Sequence, residues 1–334
     1  MSTARSTPNI ALIKYWGNRS NELRLPAANS LSMTLSTPSV EVTVDFADEL
    51  LIESFESDGS EHVMTEKHIA RFEKHLQLTK NYLAHLGAKD ALQESVSITI
   101  NSGIPPSVGL ASSAAVFSAV AKAYAGLIAD SIKLTDEQIS VIARLGSGSA
   151  ARSIYGGFVT LENTGSDSID SAVAKQIVDE NHWALHDIVI IPSQKEKKVG
   201  STEGHALAHT SPHFAERLEN ITKRRQQECI DSILQKDFEK LQAVSEEDSL
   251  DMHHVMETSE PPLQYLTEDT HRILADIIEL RESEHIPVLF TMDAGPTVHL
   301  ICVEEAKKRI VEFAHAQEGC TIFEASVGPG SHFL

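Results

Sequence analysis

The segment Pro105-Pro-Ser-Val-Gly-Leu-Ala-Ser-Ser-Ala-Ala115 decides the fold of this chain. It follows a run with strand alternation, residues 96–100, and leads into a helix whose first turns are nearly all small residues. Gly109 permits a tight turn and the close approach of a ligand to the backbone. Ser112 and Ser113 place hydroxyls beside free N–H groups at a helix start, where negative charge is favoured. The segment predicts a phosphate-binding turn, and the alternative is a helix whose small residues merely permit close packing.

The composition is that of a globular protein and excludes several functional classes. The 334 residues are 41% hydrophobic and 23% charged, enough for two packed lobes. A net charge of −20, from 28 basic and 48 acidic residues, opposes binding to nucleic acid or anionic membranes. No apolar run approaches the roughly 18–20 residues of a membrane span, and the first residues do not resemble a secretory signal. We therefore expect a cytoplasmic protein with no nucleic-acid or membrane partner.

Cysteine and histidine spacing gives no sign of a metal site. The three cysteines are odd in number and widely spaced, which fits neither a disulfide framework nor a zinc site. The pair His253-His254 lies in a polar helical stretch without the HExxH spacing, so it predicts a solvated helix face. No protein metal ligands are predicted.

Strand and helix signals alternate through the first half of the chain. The alternation at residues 40–46 predicts a strand, and residues 51–55 are expected to pair with it. Thr135 and Gln138 form the pattern of a capping box, which starts a helix that ends at Gly146. Further elements are predicted as helices at 66–86 and 111–128, a strand at 154–161, and a Ser-, Asp- and Gly-rich loop at 163–172.

The second half has the same mixed character. Strands are predicted at 186–192, 288–292, 298–303 and 321–327, and helices near 212–230, 235–258, 267–284 and 304–317. This order is typical of an α+β fold in two lobes, because it is not a regular βαβ series and shows no internal repeat. We place the lobes at residues 1–175 and 176–334, with the loop at 163–172 near the edge of the first.

The phosphate-binding segment is not a Walker loop, because the Gly-Lys-Ser/Thr ending is absent. It resembles the ATP-binding loop of the GHMP kinase superfamily, Pro-x-x-x-Gly-Leu-x-Ser-Ser-Ala. Within that superfamily the chain is similar to the mevalonate diphosphate decarboxylases and their phosphomevalonate decarboxylase relatives. The matching motifs are Asn9-Ile-Ala-Leu-Ile-Lys-Tyr-Trp-Gly17, Ser30-Leu-Ser-Met-Thr-Leu35, Gly109-Leu-Ala-Ser-Ser-Ala-Ala115, Gly146-Ser-Gly-Ser-Ala-Ala-Arg-Ser-Ile-Tyr-Gly-Gly157, Lys197-Lys-Val-Gly-Ser-Thr-Glu-Gly204 and Thr291-Met-Asp-Ala-Gly-Pro296. The resemblance implies an N-terminal ribosomal-protein-S5-like lobe and a C-terminal ferredoxin-like lobe.

Three residues in these motifs are chemically conspicuous without the family. Lys14 lies in an apolar and aromatic run, so it is either a functional cation or a side chain whose charged end reaches water. Asp293 lies between an apolar strand and a Gly-Pro turn, where a carboxylate either caps the turn or needs a partner or ligand. Arg152 offers a planar fork that suits a carboxylate.

The resemblance implies an ATP-dependent decarboxylase of isoprenoid biosynthesis. ATP phosphorylates the C3 hydroxyl of a 5-phosphorylated mevalonate, and loss of phosphate and CO2 then gives the isopentenyl product. Asp293 would orient or deprotonate the hydroxyl, Lys14 would hold Asp293 and the phosphoryl group, and Arg152 would clamp the C1 carboxylate. Ser112 would position the hydroxyl and the γ-phosphate. The expected ATP-phosphate contacts are Ser107, Val108, Gly109, Leu110, Ala111, Ser112 and Ser113.

The resemblance also implies the cofactors, the oligomeric state and the substrate contacts. ATP and Mg²⁺ are the expected cofactors, with Mg²⁺ held mainly through ATP, and relatives of this kind are commonly homodimers. The expected substrate contacts are Tyr15, Asn18, Arg19, Ser147, Ser149, Arg152 and Ser201.

The chain departs from the diphosphate-using pattern at two places. Asn18 replaces the lysine that usually follows Lys-Tyr-Trp-Gly, and residues 200–203 contain no arginine. Losing a cation beside a polyphosphate removes a charge-assisted contact, which favours mevalonate 5-phosphate as substrate and isopentenyl phosphate as product. Arg19 or Arg24 could compensate, and the alternative is then a diphosphomevalonate decarboxylase. A further alternative is a non-catalytic small-molecule-binding protein of the same fold.

Overall fold

The computed structural model describes residues 1–92, 94–104, 112–192 and 200–334, and at residues 112, 201 and 202 it describes the backbone only. It confirms the predicted α+β class and two-lobed fold. The strands are β1 Ser2–Ser6, β2 Asn9–Ile13, β3 Asn18–Ser20, β4 Leu25–Pro26, β5 Ser30–Thr34, β6 Val40–Ala47, β7 Leu51–Phe55, β8 Ser95–Ser102, β9 Phe158–Asn163, β10 Ala172–Val178, β11 Leu185–Ile191, β12 Val288–Thr291, β13 Val298–Val303, β14 Thr321–Ser326 and β15 His332–Phe333.

Most of the predicted helices are confirmed, but the helix at residues 201–207 was not predicted, and the helix expected near 212–230 is interrupted by a π-helical turn. Thr135 and Gln138 form the predicted capping box, because each side chain accepts a hydrogen bond from the other residue's backbone N–H. The α-helices are α1 Glu66–His85, α2 Ser112–Leu127, α3 Asp136–Gly146, α4 Ser201–Leu207, α5 Phe214–Asn220, α6 Gln226–Gln235, α7 Phe238–Glu257, α8 Glu268–Glu284 and α9 Glu304–His315. A 3₁₀ helix spans Gly148–Ile154, and a π-helical turn, Ile221–Arg225, joins α5 to α6.

The first sheet has the strand order β15-β1-β6-β8-β7 and packs against α1, α2 and α3. The prediction that β7 pairs with β6 is wrong, because β7 runs parallel to β8 instead. Both edges of β6 are already occupied, by β1 on one side and β8 on the other. The last strand, β15, pairs with β1, so the chain ends beside its beginning.

The second sheet, β10-β9-β5-β2, brings β2 next to the 3₁₀ helix. The strand predicted at 154–161 begins later than expected, at Phe158, because Ile154 ends the 3₁₀ helix. Strand β10 was not predicted, and it crosses the proposed lobe boundary at residue 175. That boundary stays a prediction.

The third sheet has the strand order β12-β13-β11-β14 and lies between two cores. Successive side chains along each strand point to opposite faces of the sheet. Ile188 and Leu300 face the core formed with α8 and α9. Asp187 and His299 lie on the opposite face, which is turned toward β2 and the first half of the chain. In the part of the chain that is described, no helix is long and apolar enough to cross a membrane.

Buried Arg144, near the end of α3, fixes the loops beside the candidate site. Its guanidinium donates to the carbonyl oxygen of Ala172 at 3.0 Å and also to those of Leu23 and Ile169. The hairpin β3–β4, which carries Leu23, is thereby tied to α3 and to the start of β10. Because buried carbonyl groups need donors, this arginine holds the hairpin at a defined position.

Candidate active site

A cavity of about 180 Å³ lies where β2, α2, the 3₁₀ helix and the turn after β12 meet. Its lining comes from both halves of the chain. Seven of the residues predicted from the sequence line it: Lys14, Tyr15, Ser113, Ser147, Ser149, Arg152 and Asp293.

Lys14 and Asp293 form an ion pair at the centre of this cavity. The Lys14 Nζ lies 2.9 Å from Asp293 Oδ1, and the lysine side chain is 1% exposed whereas the aspartate side chain is 43% exposed. Lys14 follows the last residue of β2, and its backbone N–H donates to Asp248 at 2.6 Å, which fixes the direction of its side chain. The pair therefore has a rigid, buried cation and a carboxylate with one oxygen open to the cavity.

Burial and neighbouring charges act in opposite directions on the pKa of each group in the pair. Burial alone would raise the pKa of Asp293, but the charges of Lys14, His299 and Arg152 hold it below its usual value. Burial lowers the pKa of Lys14, and the attraction of Asp293 offsets part of that effect. An ionised carboxylate with a lowered pKa orients a hydroxyl well and accepts a proton poorly.

Arg152 lines the same cavity and has a fixed orientation. Its Nη2 and Nε donate to Asn9 Oδ1 at 3.0 and 3.3 Å, and its Nη1 donates to Ser30 Oγ at 2.7 Å. Burial lowers its pKa to about 10, so it remains a cation at neutral pH. Because these partners are neutral, the charge of Arg152 is left available to an anionic ligand.

The turn at Ser147 and Gly148 forms a small polar wall. Ser113, in the first turn of α2, lies with its Oγ 3.0 Å from Ser147 Oγ. A side chain at position 148 would collide with the ring of Tyr15, because a Cβ there would lie 2.3 Å from it. The glycine lets Tyr15 lie against the turn. The start of a 16-residue helix beside these hydroxyls fits a phosphate group.

The structure does not place Arg19 in the cavity lining, and its predicted substrate contact stays a prediction. Its guanidinium pairs with Asp167 at 2.7 Å and donates to Ser166 O and to Ser171 Oγ, so it is directed away from the cavity. Asn18 is also absent from the lining and accepts a hydrogen bond from Tyr15 Oη. The Arg19 side chain turns toward the loop at 163–172, and sequence adjacency to Tyr15 could not show that direction.

Part of the predicted nucleotide site lies outside the described residues. The positions concerned are Ser107, Val108, Gly109, Leu110 and Ala111. Ser112 and Ser201 begin α2 and α4. Their predicted contacts, which depend on side chains, stay predictions. Within the described ranges, no group of three or more His, Cys, Asp or Glu residues could hold a metal ion.

Two arginines complete the cationic lining of the cavity. Arg24, considered from sequence only as a substitute for a lysine, lies in the β3–β4 hairpin with a φ of 48° and has no hydrogen-bond partner among the described residues. Arg71, in α1, was missed, because one arginine in an amphipathic helix gives no signal. It donates to Gly146 O at 2.9 Å and lies over the ring of Phe117. Burial lowers the pKa of both arginines, and repulsion by Arg24 further lowers that of Arg71.

The prediction of a solvated face at His253-His254 is wrong for His253. This residue is buried, and its Nε2 donates to the carbonyl oxygen of Asp293 at 2.9 Å. Burial, with a smaller contribution from the Lys14 charge, lowers its pKa to about 4. A neutral His253 therefore supports the turn that carries Asp293, and only its neighbour His254 is exposed.

Two family models together match most of the chain. The diphosphomevalonate decarboxylase-like N-terminal domain matches residues 6–173, and the mevalonate 5-diphosphate decarboxylase C-terminal domain matches residues 187–323. A diphosphomevalonate decarboxylase of Debaryomyces hansenii is 32% identical over 324 residues, covering 93% of this chain and 81% of that protein. One from Homo sapiens is 29% identical, covering 94% and 79%.

Solved structures agree in fold over the whole chain. The crystal structure of mevalonate diphosphate decarboxylase from Staphylococcus aureus has a TM-score of 0.87 and 32% identity, covering 100% of this chain and 97% of that one. A structure of MDDEF in complex with MVAPP, AMPPCP and magnesium has a TM-score of 0.87 and 29% identity, covering 100% and 98%. On these matches, the chain belongs to the diphosphomevalonate decarboxylase family of the GHMP kinase superfamily.

Proposed function

We propose that this chain is an ATP-dependent decarboxylase that acts on mevalonate 5-diphosphate and releases isopentenyl diphosphate, ADP, phosphate and CO2. The observation that carries the proposal is the assembly of Lys14, Asp293 and Arg152 in one cavity beside the start of α2. That set offers one open carboxylate oxygen and two fixed cations. It suits a substrate that is an alcohol, a carboxylate and a phosphate ester at once.

Each residue has a proposed task that follows from its contacts. The open oxygen of Asp293 orients the C3 hydroxyl for attack, and Lys14 keeps that carboxylate ionised. Arg152 binds the C1 carboxylate and holds it until carbon–carbon cleavage releases CO2. The negative charge of Asp293 then lies beside the positive character that develops at C3 as phosphate departs. Most of the rate enhancement comes from positioning and from fixed charges.

The nucleotide fits the part of its site that is described. The first turn of α2 offers its N-terminus and the Ser113 hydroxyl to phosphate oxygens. Ser112 retains its predicted role at the γ-phosphate. Mg²⁺ bound together with ATP would supply positive charge that offsets the negative charge of the phosphates during phosphoryl transfer.

The choice of the 5-diphosphate rests on the cations near Tyr15 and on the relatives. Arg24 and Arg71 line the cavity on the side of Ser147 and Tyr15. Their like charges repel each other, and no described carboxylate pairs with either of them. A diphosphate would neutralise both, which replaces the lysine missing at position 18. The relatives matched over nearly the whole chain are named diphosphomevalonate decarboxylases.

The second candidate substrate is mevalonate 5-phosphate. Asn18 favours it, because this neutral residue stands where diphosphate-using relatives have a lysine. ATP-dependent CO2 release from mevalonate, its 5-phosphate and its 5-diphosphate, measured side by side with Mg²⁺, separates the candidates. We expect kcat/KM at least tenfold higher for the diphosphate. A tenfold preference for the monophosphate would reverse the substrate assignment. Binding without turnover of any of them would indicate the non-catalytic alternative.

The predicted homodimer and cytoplasmic location stay predictions, and size-exclusion chromatography with light scattering tests the first.

A further inference from the structure

His205 lines the cavity, and the proposed function gives it no task. It lies in α4, and its ring packs against those of Tyr15 and Trp16, with ring centroids 4.6 and 4.5 Å away. The helix approaches Trp16 closely, since a Cβ at Gly204 would lie 2.7 Å from the indole ring. The imidazole of His205 therefore has a fixed position beside the segment that follows β2.

One hydrogen bond decides which nitrogen of His205 carries the proton. The backbone N–H of Gly17 donates to Nδ1 at 3.0 Å, so Nδ1 is unprotonated. In a neutral imidazole the other nitrogen, Nε2, then carries the hydrogen and is a donor. Among the described residues, none accepts a hydrogen bond from this Nε2–H. The cavity wall thus has an oriented donor that is available to a ligand.

His205 stays neutral at physiological pH. Burial, with a smaller contribution from the charge of Arg24, lowers the pKa of His205 to about 3. A protonated ring would add a third cation beside Arg24 and Arg71, which already repel each other. A neutral donor offers a hydrogen bond to an anion without adding to that repulsion.

The polar groups around His205 suit a phosphate group. Tyr15, Ser147 and Arg24 line the same cavity. The Tyr15 ring lies against the turn at Ser147 and Gly148 on one side and contacts the ring of His205. Ionised phosphate oxygens only accept hydrogen bonds, and hydroxyl groups, a guanidinium and a neutral N–H can all donate to them.

We propose that His205 is a substrate-binding residue, whose neutral Nε2–H donates a hydrogen bond to a phosphate oxygen at the 5-position of the substrate. This inference rests on the proposed function and adds a contact to it. The 5-position is not the reacting centre, so the contact has the same strength before and during the reaction. It therefore lowers KM and leaves kcat nearly unchanged.

The alternative task of His205 is structural, namely to accept the Gly17 N–H. Two neutral substitutions separate the tasks. In His205→Asn the side-chain oxygen can take the place of Nδ1, so the acceptor is kept and the donor is lost. In His205→Gln the longer amide can place its nitrogen near the position of Nε2, so the donor is kept and the acceptor is lost.

The test measures KM and kcat for mevalonate 5-diphosphate at saturating ATP and Mg²⁺. His205→Asn should raise KM by about tenfold, as for loss of one hydrogen bond to a charged group, and keep kcat within about threefold. His205→Gln should keep KM within about threefold of the wild-type value. His209→Gln is the matched control, because His209 is an exposed histidine just after α4, and wild-type constants are expected for it.

A measurement on the wild-type chain does not depend on the folding of a variant. With histidine labelled by ¹⁵N, binding of mevalonate 5-diphosphate should shift the Nε2 resonance of His205. No shift of that resonance would overturn the inference.

Two kinetic results would also overturn the inference: a larger rise in KM for His205→Gln than for His205→Asn, or equal KM values in the two variants. Failure of the proposed function has a different signature, because the wild-type chain itself would then release no CO2 from either phosphorylated mevalonate.

Discussion

Asp248 and Asp293 each form an ion pair and each contact Lys14. They differ in whether one oxygen of the carboxylate remains unpaired. Asp248 is completely buried and receives the Arg217 guanidinium at 3.0 Å, the Lys14 backbone N–H and Arg225. Asp293 receives the Lys14 ammonium and keeps its second oxygen open to the cavity. An aspartate paired with a cation is structural where both of its oxygens are bound. It is available for catalysis where one oxygen remains free.

The difference also shows in the surroundings of the two carboxylates. Arg217 and Arg225 come from α5 and the π-helical turn, and together with Asp251 they form a closed network. Such a network holds α7 against β2 and so fixes the backbone of Lys14. The structural pair therefore positions the catalytic pair, and a substitution in each should have a different result.

The largest expected effect is that of Asp293→Asn on turnover. The amide of asparagine is neutral and has no ionised oxygen to orient the hydroxyl. The kcat for CO2 release should therefore fall by about 10³-fold or more. Affinity for ATP and the free energy of unfolding should change little, because the carboxylate is partly exposed. Steady-state kinetics and urea denaturation measure these quantities. Activity within tenfold of wild type would show that Asp293 has another role.

Asp248→Asn should have the opposite profile. Removing one partner leaves two arginines without a full counter-charge in a buried network, which costs about 3–5 kcal/mol of unfolding free energy. Urea denaturation measures the loss. Glu284→Gln is the control, because its partner Arg309 is exposed and such pairs contribute roughly 0–1 kcal/mol. Equal losses in the two variants would contradict the structural role of Asp248.

A smaller effect is expected for the arginines near the predicted diphosphate. Arg24→Met should raise KM for mevalonate 5-diphosphate by about tenfold, which corresponds to one charge-assisted hydrogen bond. Arg19→Met should change it by less than about threefold, since Arg19 pairs with Asp167 outside the cavity. If the Arg19 variant were the more impaired, the original sequence prediction for Arg19 would be right.

A further effect is expected on the pH dependence of stability at His253. Burial lowers its pKa in the folded chain to about 4, whereas in the unfolded chain it is about 6.5. Between these values the unfolded state binds more protons, so stability falls as the pH falls from about 6.5 toward 4. His253→Gln should reduce this slope by up to about 1.4 kcal/mol per pH unit. An equal reduction in His254→Gln, the exposed neighbour, would contradict the assignment.

Much of the fold could be predicted because its signals are local. The capping box at Thr135 and the alternation at residues 40–46 depend on a few neighbouring positions, and both are confirmed. Strand β10 was missed because its alanines have low strand propensity and its pairing with β9 is tertiary. The parallel β7–β8 pair was missed for a similar reason, since pairing partners are chosen by the whole sheet.

The candidate site also has residues that local sequence predicts and residues that it does not. Lys14, Asp293 and Arg152 were predicted from polar residues within distinctive motifs, and the structure brings them together. Because side-chain direction is not encoded locally, the sequence could not show that Arg19 lies outside the cavity lining, and Arg71 was missed. His299 was also missed as a residue of the cavity lining, because its contact with Asp187 joins positions more than a hundred residues apart.

The most direct test of the central claim is the stoichiometry of a single turnover. The wild-type chain, mixed with ATP, Mg²⁺ and mevalonate 5-diphosphate, should form ADP, phosphate and CO2 in equal amounts, and Asp293→Asn should form none of them at a comparable rate. Formation of ADP without CO2 would contradict the account, because a cavity with Asp293 and Arg152 in their proposed roles would then end its reaction at phosphorylation.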